Sequence, residues 1–196
     1  MSEPLSAMNM ASFDGYCHIS DAGPRGMVTV RGDLGRQAFS TAVKKITGVA
    51  PPDQRRINRV DDRALAWMSP DELLLMLPYD QVQAVVSEME NALSETHALV
   101  CNVSDARAVF RIEGSACREV LAKLAPVDLH PSAFAPGQIR RTRLAQVPAA
   151  FWMTDETCFE VMCFRSVAQY VFELLSESAR LGGQVGYPRV IQTSIV

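Results

Sequence analysis

Apolar positions along the chain switch repeatedly between the two-residue alternation of a strand and the three-to-four-residue spacing of an amphipathic helix. Gly26–Arg31 (G-M-V-T-V-R) reads as a strand. Asp33 has the character of a helix N-cap, and Leu34, Phe39, Val43 and Ile46 follow at near-helical spacing until Gly48 and Pro51-Pro52 end the run. Ala64–Met68 and Glu72–Leu77 read as two strands joined by Ser69-Pro70-Asp71, a turn composition. Asp80 precedes a second helix with Val82, Val85, Val86, Met89 and Leu93 on one face, and Leu99–Val103 reads as a further strand. The resulting β-α-β-β-α-β order is that of a split β-α-β, ferredoxin-like unit.

The second half repeats this grammar. Ala106–Ile112 alternates as a strand, and Gly114 or Ser115 starts a helix carrying Cys117, Val120, Leu121 and Leu124, with Pro126 just past its end. Strands follow at Ile139–Leu144, Ala149–Met153 and Cys158–Phe164, and Ser166 caps a last helix with Val167, Val171, Leu174, Leu175 and Leu181. Individual residues recur as well. V-x-V-R-Gly32-Asp resembles F-R-I-E-Gly114-Ser, Gln54-Arg-Arg-Ile resembles Gln138-Ile-Arg-Arg, and Trp67-Met-Ser-Pro-Asp-Glu resembles Trp152-Met-Thr-Asp-Glu. Three anchors in one order at nearly constant offset mark an internal duplication. The expected fold class is α+β: two ferredoxin-like units with antiparallel sheets and packed helices, arranged about a pseudo-twofold axis.

No long polar or Gly/Ser linker separates the units, so residues 26–182 read as a single body of two repeats, about 26–104 and 105–182. Residues 1–25 show no clear element and read as a flexible leader, and 183–196 as a C-terminal tail. The apolar tail residues Val190, Ile191, Ile195 and Val196 are expected to pack on a partner or add an edge strand.

Composition narrows the function classes. The chain has 196 residues, 7% of them aromatic, so Leu, Val, Ala and the nine methionines must fill much of the interior. A formal charge of −3 argues against general nucleic-acid binding, which needs a positive surface to displace phosphate counterions. The start has neither a basic nor an apolar leader, and the longest apolar run, Leu73–Leu77, is far too short to cross a membrane. Five cysteines with no C-x-x-C pair read as buried free thiols in a reducing compartment, which makes the expected location cytoplasmic.

The search for chemistry finds little. There is no G-x-S-x-G, and His18, His97 and His130 each stand alone. Cys158 and Cys163 lie five apart, on opposite faces of a regular strand. No H-x-x-x-H, H-E-x-x-H or C-x-x-C offers metal ligands, and neither Gly23-Pro-Arg-Gly26 nor Gly182-Gly-Gln-Val-Gly186 has the form of a phosphate-binding loop. No catalytic, cofactor-binding or metal-ligating residue is therefore assigned. Two arginine clusters at matched repeat positions, Arg55/Arg56/Arg59 and Arg140/Arg141/Arg143, fit either carboxylates on a partner or a solvated strand face balanced by Asp53, Asp61 and Asp62. Trp67 and Trp152, also matched, read as core or interface anchors.

The segment Val103-Ser-Asp-Ala-Arg-Ala-Val-Phe-Arg-Ile-Glu-Gly114, continued by Val120-Leu-Ala-Lys-Leu-Ala-Pro-Val-Asp-Leu-His-Pro-Ser-Ala-Phe134, resembles the sarcosine oxidase gamma subunit family. S-D-x-R before a strand, an L-A-K helix end and a D-L-H-P-x-x-F loop appear in the family's order. Trp67-Met-Ser-Pro-Asp-Glu-Leu-Leu-Leu, Phe159-Glu-Val and Arg165-Ser extend the likeness, from about Val28 to Gly182. Met68-Ser69 departs from the family's commoner Leu-Gly, and the tail runs past its usual end.

The resemblance implies a fold similar to the folate-binding domain of glycine-cleavage T-protein. It implies a structural subunit, without a cofactor of its own, in a heterotetramer that oxidatively demethylates sarcosine to glycine, yielding hydrogen peroxide and, with tetrahydrofolate, methylenetetrahydrofolate. FAD, FMN, NAD, zinc and tetrahydrofolate are then expected in the alpha, beta and delta partner subunits. Nucleic-acid and membrane partners are not expected. Expressed alone, such a subunit leaves a docking surface open to self-association.

Candidate partner contacts in the motifs are Trp67, Asp105, Arg107, Asp128, His130 and Phe134, joined by Arg140, Arg141, Arg143 and Arg165. Two alternatives remain: the equivalent subunit of a related N-methyl amino-acid dehydrogenase, or a stand-alone folate or pterin binder using Asp105, Asp128 and Trp152.

Overall fold

The computed structural model describes residues 4–188. The tail residues Val190, Ile191, Ile195 and Val196, expected to find a packing surface, lie outside the described residues. The first repeat runs β3 (Gly26–Arg31), α1 (Gln37–Thr47), β4 (Ile57–Val60), β5 (Arg63–Ser69), β6 (Glu72–Leu77), α2 (Val82–Ala92) and β7 (Leu99–Asn102). The second runs β8 (Arg107–Glu113), α3 (Cys117–Ala122), β9 (Ile139–Leu144), β10 (Val147–Asp155), β11 (Cys158–Phe164) and α4 (Ala168–Ser178). Two short strands, β1 (Ser12–Asp14) and β2 (His18–Asp21), precede both.

The strands form a five-stranded sheet in the order β4-β5-β6-β3-β7 and a six-stranded sheet in the order β9-β10-β11-β8-β2-β1, antiparallel throughout. The orders superimpose position by position, so β4 corresponds to β9, β5 to β10, β6 to β11 and β3 to β8. The place of β7 beside β3 is taken in the second sheet by β2, beside β8. This is the α+β architecture with antiparallel sheets that the sequence pattern predicts.

Apolar residues form three packed layers. One core lies between the first sheet and α1/α2 and holds Phe39, Val43, Leu65, Leu73, Leu75 and Met89. Another lies between the second sheet and α3/α4 and holds Phe110, Phe134, Phe151, Phe159 and Leu175. Between the sheets sit Met27, Ala66, Met68, Leu74 and Met76 of the first repeat, against Val109, Ile139, Ala150, Trp152 and Met162 of the second. Both faces of each central strand are therefore covered, and all six residues of β6 are buried. That double burial explains why Leu73–Leu77 is a continuous apolar run in an antiparallel sheet, where one-sided burial would give alternation.

The duplicated glycines have a steric reason. A Cβ on Gly32 would stand 2.5 Å from the Phe39 ring, and one on Gly114 would stand 3.1 Å from Cys17 Sγ at a backbone φ of 139°.

Local capping departs from expectation. The Asp33 carboxylate accepts the Gly35 N–H at 3.0 Å in a turn of its own, and α1 opens after Arg36 without a side-chain cap. Asp80 and Ser166 fall inside short 3-10 turns ahead of α2 and α4, so neither caps a helix. Leu181 lies past the end of α4 and is 72% exposed. Tertiary packing sets these helix starts, since each apolar face is held by a sheet.

Residues 12–21 correct the expectation of a flexible leader. Ile19 lies opposite Ile112 of β8 and is fully buried, and Cys17 is also in the core, so this stretch is packed structure. Strand β4 also went unpredicted, because of its residues only Ile57 is buried and the alternation signal is lost.

Candidate partner-docking site

The two sheets meet along β4 and β9. Arg56 and Gln138 form an antiparallel bridge, the Ile57 N–H donates to Gly137 O at 3.0 Å, and the Ile139 N–H donates to Arg55 O at 3.0 Å. The duplicated Gln-Arg-rich segments are thus the two sides of one seam, which brings their arginines together. Arg55 adopts a left-handed backbone, φ 62°, rare for a residue with a Cβ.

Beside the seam is an open groove of about 560 Å³. Trp67, Met68, Val127 and Ala133 give it apolar lining, and Arg55, Arg140, Arg141 and Asp128 supply charge. The Arg140 guanidinium lies 5.1 Å from the centre of the Phe134 ring and donates to its neighbour's carbonyl, Ile139 O, at 2.9 Å. Burial first, then the charges of Arg55 and Arg56, push its pKa below the ordinary arginine value. Among the described residues, no carboxylate lies within ion-pairing distance of Arg55, Arg56, Arg140 or Arg143, while Arg141 reaches Glu72 at 3.6 Å. Arg59 is consumed internally, donating to Glu160 at 2.6 Å.

The D-L-H-P-S-A-F loop beside this groove is held from beneath. Arg118 of α3 is 5% exposed and donates to Leu129 O at 3.0 Å, Phe134 O at 2.7 Å and Glu156 at 2.7 Å. Asp128 accepts the His130 N–H at 2.9 Å, and His130 Nδ1 lies 2.7 Å from Ser132 Oγ, which leaves the imidazole on the surface. Phe134 is fully buried against Phe151 and Phe159, so it anchors the loop and is closed to a partner, contrary to expectation.

The S-D-x-R motif lies at the junction of the repeats. Ser104 Oγ accepts the Met27 N–H at 2.9 Å, Asp105 accepts the Tyr79 O–H at 2.9 Å, and Arg107 lies 4.0 Å from the centre of the Phe164 ring. Burial lowers the pKa of Arg107. Arg165 donates to Leu5 O at 2.9 Å and Ser6 O at 3.1 Å, fastening the start of the chain.

Trp67, Asp128, Arg140 and Arg141 therefore share one groove, while Asp105, Arg107 and Arg165 line a separate narrow cleft. Arg143 and His130 are exposed and line neither. Of the pterin candidates, Trp152 is fully buried with its indole N–H on Glu160 at 2.7 Å, and Asp105 and Asp128 lie in different clefts. The three do not form one ligand slot.

The burial of charged residues was not anticipated, and besides Asp21 and Glu72 three are buried. Glu160 on β11 is 4% exposed and accepts from Arg25 at 2.8 Å, Arg59 at 2.6 Å and Trp152 at 2.7 Å. Burial pushes its carboxyl up, but Arg25, Arg59 and Trp152 outweigh that and hold it at about 2. Glu119 on α3 accepts the Val185 N–H at 2.7 Å and the Tyr187 N–H at 2.8 Å, fixing the start of the tail. The third is Arg118. A lone acid inside Cys-Phe-Glu-Val-Met-Cys-Phe was a readable sign of a buried ion pair, whereas nothing in sequence distinguished Glu119 or Arg118 from surface charge. Among the described residues, no cluster of His, Cys, Asp and Glu could hold a metal ion, and no helix is long and apolar enough to span a membrane.

Comparison with known proteins places these features in context. The family model described as sarcosine oxidase, gamma subunit family, matches residues 31–180. The sarcosine oxidase subunit gamma of Corynebacterium sp. (strain U-96) is 30% identical over 155 residues, 78% of this chain and 73% of the relative. That of Corynebacterium sp. (strain P-1) is 28% identical over 174 residues, 88% and 84% of the respective chains. Among solved structures, the heterotetrameric sarcosine oxidase from Corynebacterium sp. U-96 contains a chain that superimposes with a TM-score of 0.77 at 26% identity, covering 86% of this chain and 87% of that one. Aminomethyltransferase T of the glycine cleavage system from Bartonella henselae shares the fold, with a TM-score of 0.60 at 18% identity over 82% of this chain and 45% of that one.

Proposed function

This chain belongs to the sarcosine oxidase gamma subunit family, and from that premise we propose that it is the non-catalytic gamma subunit of a heterotetrameric sarcosine oxidase. The observation that carries the reading is the likeness to the chain of the heterotetrameric enzyme, which extends over 86% of this one. In this reading alpha, beta and delta subunits complete the assembly, and FAD, FMN, NAD, zinc and tetrahydrofolate reside in them. The subunit contributes docking surfaces to a complex that converts sarcosine to glycine and hydrogen peroxide, with methylenetetrahydrofolate formed when tetrahydrofolate is present. The T-protein-like fold does not bring folate binding with it, since fold and function separate readily. A cytoplasmic location accords with five free cysteines, four of them buried.

The test is co-expression with the three partner subunits, capture on a tag carried by this chain, and a sarcosine-dependent peroxide assay. Recovery of an active flavin-containing complex that requires this chain is the expected result. A chain that stays alone and binds tetrahydrofolate by itself would overturn the reading. We also read residues 26–182 as one cooperative body, supported by the apolar layer shared between the sheets. A single urea transition followed by both tryptophan fluorescence and circular dichroism is expected.

A further inference from the structure

We propose that the groove at the β4–β9 seam receives an acidic segment of a partner subunit, with its carboxylates seated between Arg55 and Arg140. This rests on the subunit reading above and specifies where, and by what chemistry, one contact is made.

Charge is the first argument. The chain carries a formal −3, yet at this seam Arg55, Arg56 and Arg140 gather without a carboxylate within ion-pairing distance among the described residues. Of the other arginines on β4 and β9, Arg59 and Arg141 are answered from within, and Arg143 is exposed and lies outside the groove. Arg59 is satisfied by Glu160, and Arg141 lies 3.6 Å from Glu72. Like charges held together on rigid strands repel one another, and an anion supplied from outside relieves that repulsion. Guanidinium forks match carboxylates bidentately, which favours Asp or Glu as the answering groups.

Backbone conformation is the second. Arg55 holds a left-handed φ of 62°, a position where glycine or asparagine would be at ease. The conformation is imposed by the seam, since the Arg55 carbonyl accepts the Ile139 N–H and Arg56 donates to Asp53 O. An arginine at such a position works against local preference, and its side chain lines the groove.

The third is the apolar lining. Trp67 is half-buried in the same groove beside Met68 and Val127, and tryptophan and arginine together are the residue types that dominate interface energetics. A small anion would use the arginines and leave this surface wet, whereas a peptide segment covers both. Asp128 lines the groove too, but it is engaged by its own loop through the His130 N–H.

The experiment uses the co-expressed tetramer. Wild type, Arg55→Asn, Arg140→Gln and the double variant Arg55→Glu/Arg140→Glu are compared for complex dissociation across a sodium chloride series, with the urea midpoint of each isolated chain measured alongside. The expected result has three parts. Arg55→Asn leaves the isolated chain as stable as wild type or more so, yet loosens the complex about tenfold or more. Arg140→Gln loosens it comparably. The double charge reversal loosens it further and flattens the salt dependence.

Wild-type assembly with unchanged affinity and salt response in all variants would overturn the groove while leaving the subunit reading intact. Failure of the wild-type chain to assemble would overturn both. Saturable binding of citrate or inorganic phosphate by the isolated chain, lost in Arg55→Asn while assembly is indifferent to the substitution, would assign the arginines to a small anion and overturn the proposal as well.

Discussion

Beside β3 the next strand is β7, which the first repeat supplies from its own end; beside β8 it is β2, with β1 beyond it, both from before either repeat begins. The first sheet is therefore closed by local chain, and the second only by residues far away in sequence. Burial follows the same division. No residue of β7 is fully buried, whereas Ile19 of β2 is 0% exposed and Cys17 just before it 2%. The second repeat also holds most of the buried aromatics: Phe110, Phe134, Phe151 and Phe159, against Phe39 in the core of the first. A duplicated plan has thus been finished in two ways, and the half that borrows a strand depends on the start of the chain.

The halves also exchange charge across the seam, unequally. Glu160 of β11 takes Arg59 from β4 at 2.6 Å, and Arg141, the counterpart of Arg59 on β9, faces Glu72 at the start of β6 at 3.6 Å. Each has a second arginine from the first repeat's side, Arg25 at 2.8 Å for Glu160 and Arg31 at 3.0 Å for Glu72. The two sites differ in solvent access. The Glu160 side chain is 5% exposed with Arg25 and Arg59 at 24% and 43%, and adds the buried Trp152 N–H to its donors, whereas that of Glu72 is 11% exposed with Arg31 and Arg141 at 47% and 56%.

The sharpest break of this comparison is the pair Glu160→Gln and Glu72→Gln. The first leaves the partly exposed Arg25 and Arg59 facing a buried neutral amide and is expected to cost about 3 kcal/mol in urea unfolding. The second acts on a wetter, longer pair and is expected to cost about 1 kcal/mol or less. Equal losses would mean that the two sites are alike after all.

The pH dependence refines the same contrast. Glu160 is held at about 2 in the folded chain against an ordinary value of 4.5, a difference of about 3 kcal/mol. That contribution is complete above the ordinary value and fades as pH falls from about 4.5 toward 2. Wild type is therefore expected to lose about 3 kcal/mol of its advantage over Glu160→Gln across that window, read from urea midpoints at each pH.

The borrowed strand gives the next test. Ile19→Ala removes a fully buried side chain and is expected to cost about 2–4 kcal/mol, while Val100→Ala on β7 is expected to cost about 1 kcal/mol, both by urea unfolding.

The gentlest test counts thiols. Burial pushes Cys117 and Cys163 up to about 12, and Cys17 and Cys158 are also buried, whereas Cys101 on β7 is exposed. A native disulfide-exchange titration is expected to show one fast thiol, which Cys101→Ser removes.

The legible part of the fold was the part written in periodicity. Most strands and the helix faces of Phe39, Val85 and Val171 were readable because each side chain points into a layer and the chain must alternate to put it there. The groove was legible only in pieces. Trp67, Asp128, Arg140 and Arg141 were named from motifs and repeat positions, with nothing to say that they share a surface. Phe134 was misassigned, since an aromatic in a polar loop looks exposed until Arg118 is seen binding the carbonyls of Leu129 and Phe134.

By itself, the sequence determined the duplication, the α+β class and the family, because repeated apolar spacing and repeated motifs are local properties of the chain. Only the tertiary structure decided that β2 joins the second sheet beside β8, that Glu160 is buried beneath Arg25 and Arg59, and that the two arginine clusters form one seam. Those features join residues as far as 135 positions apart. Such pairings depend on how the layers stack and which groups are thereby removed from water, which no local pattern encodes.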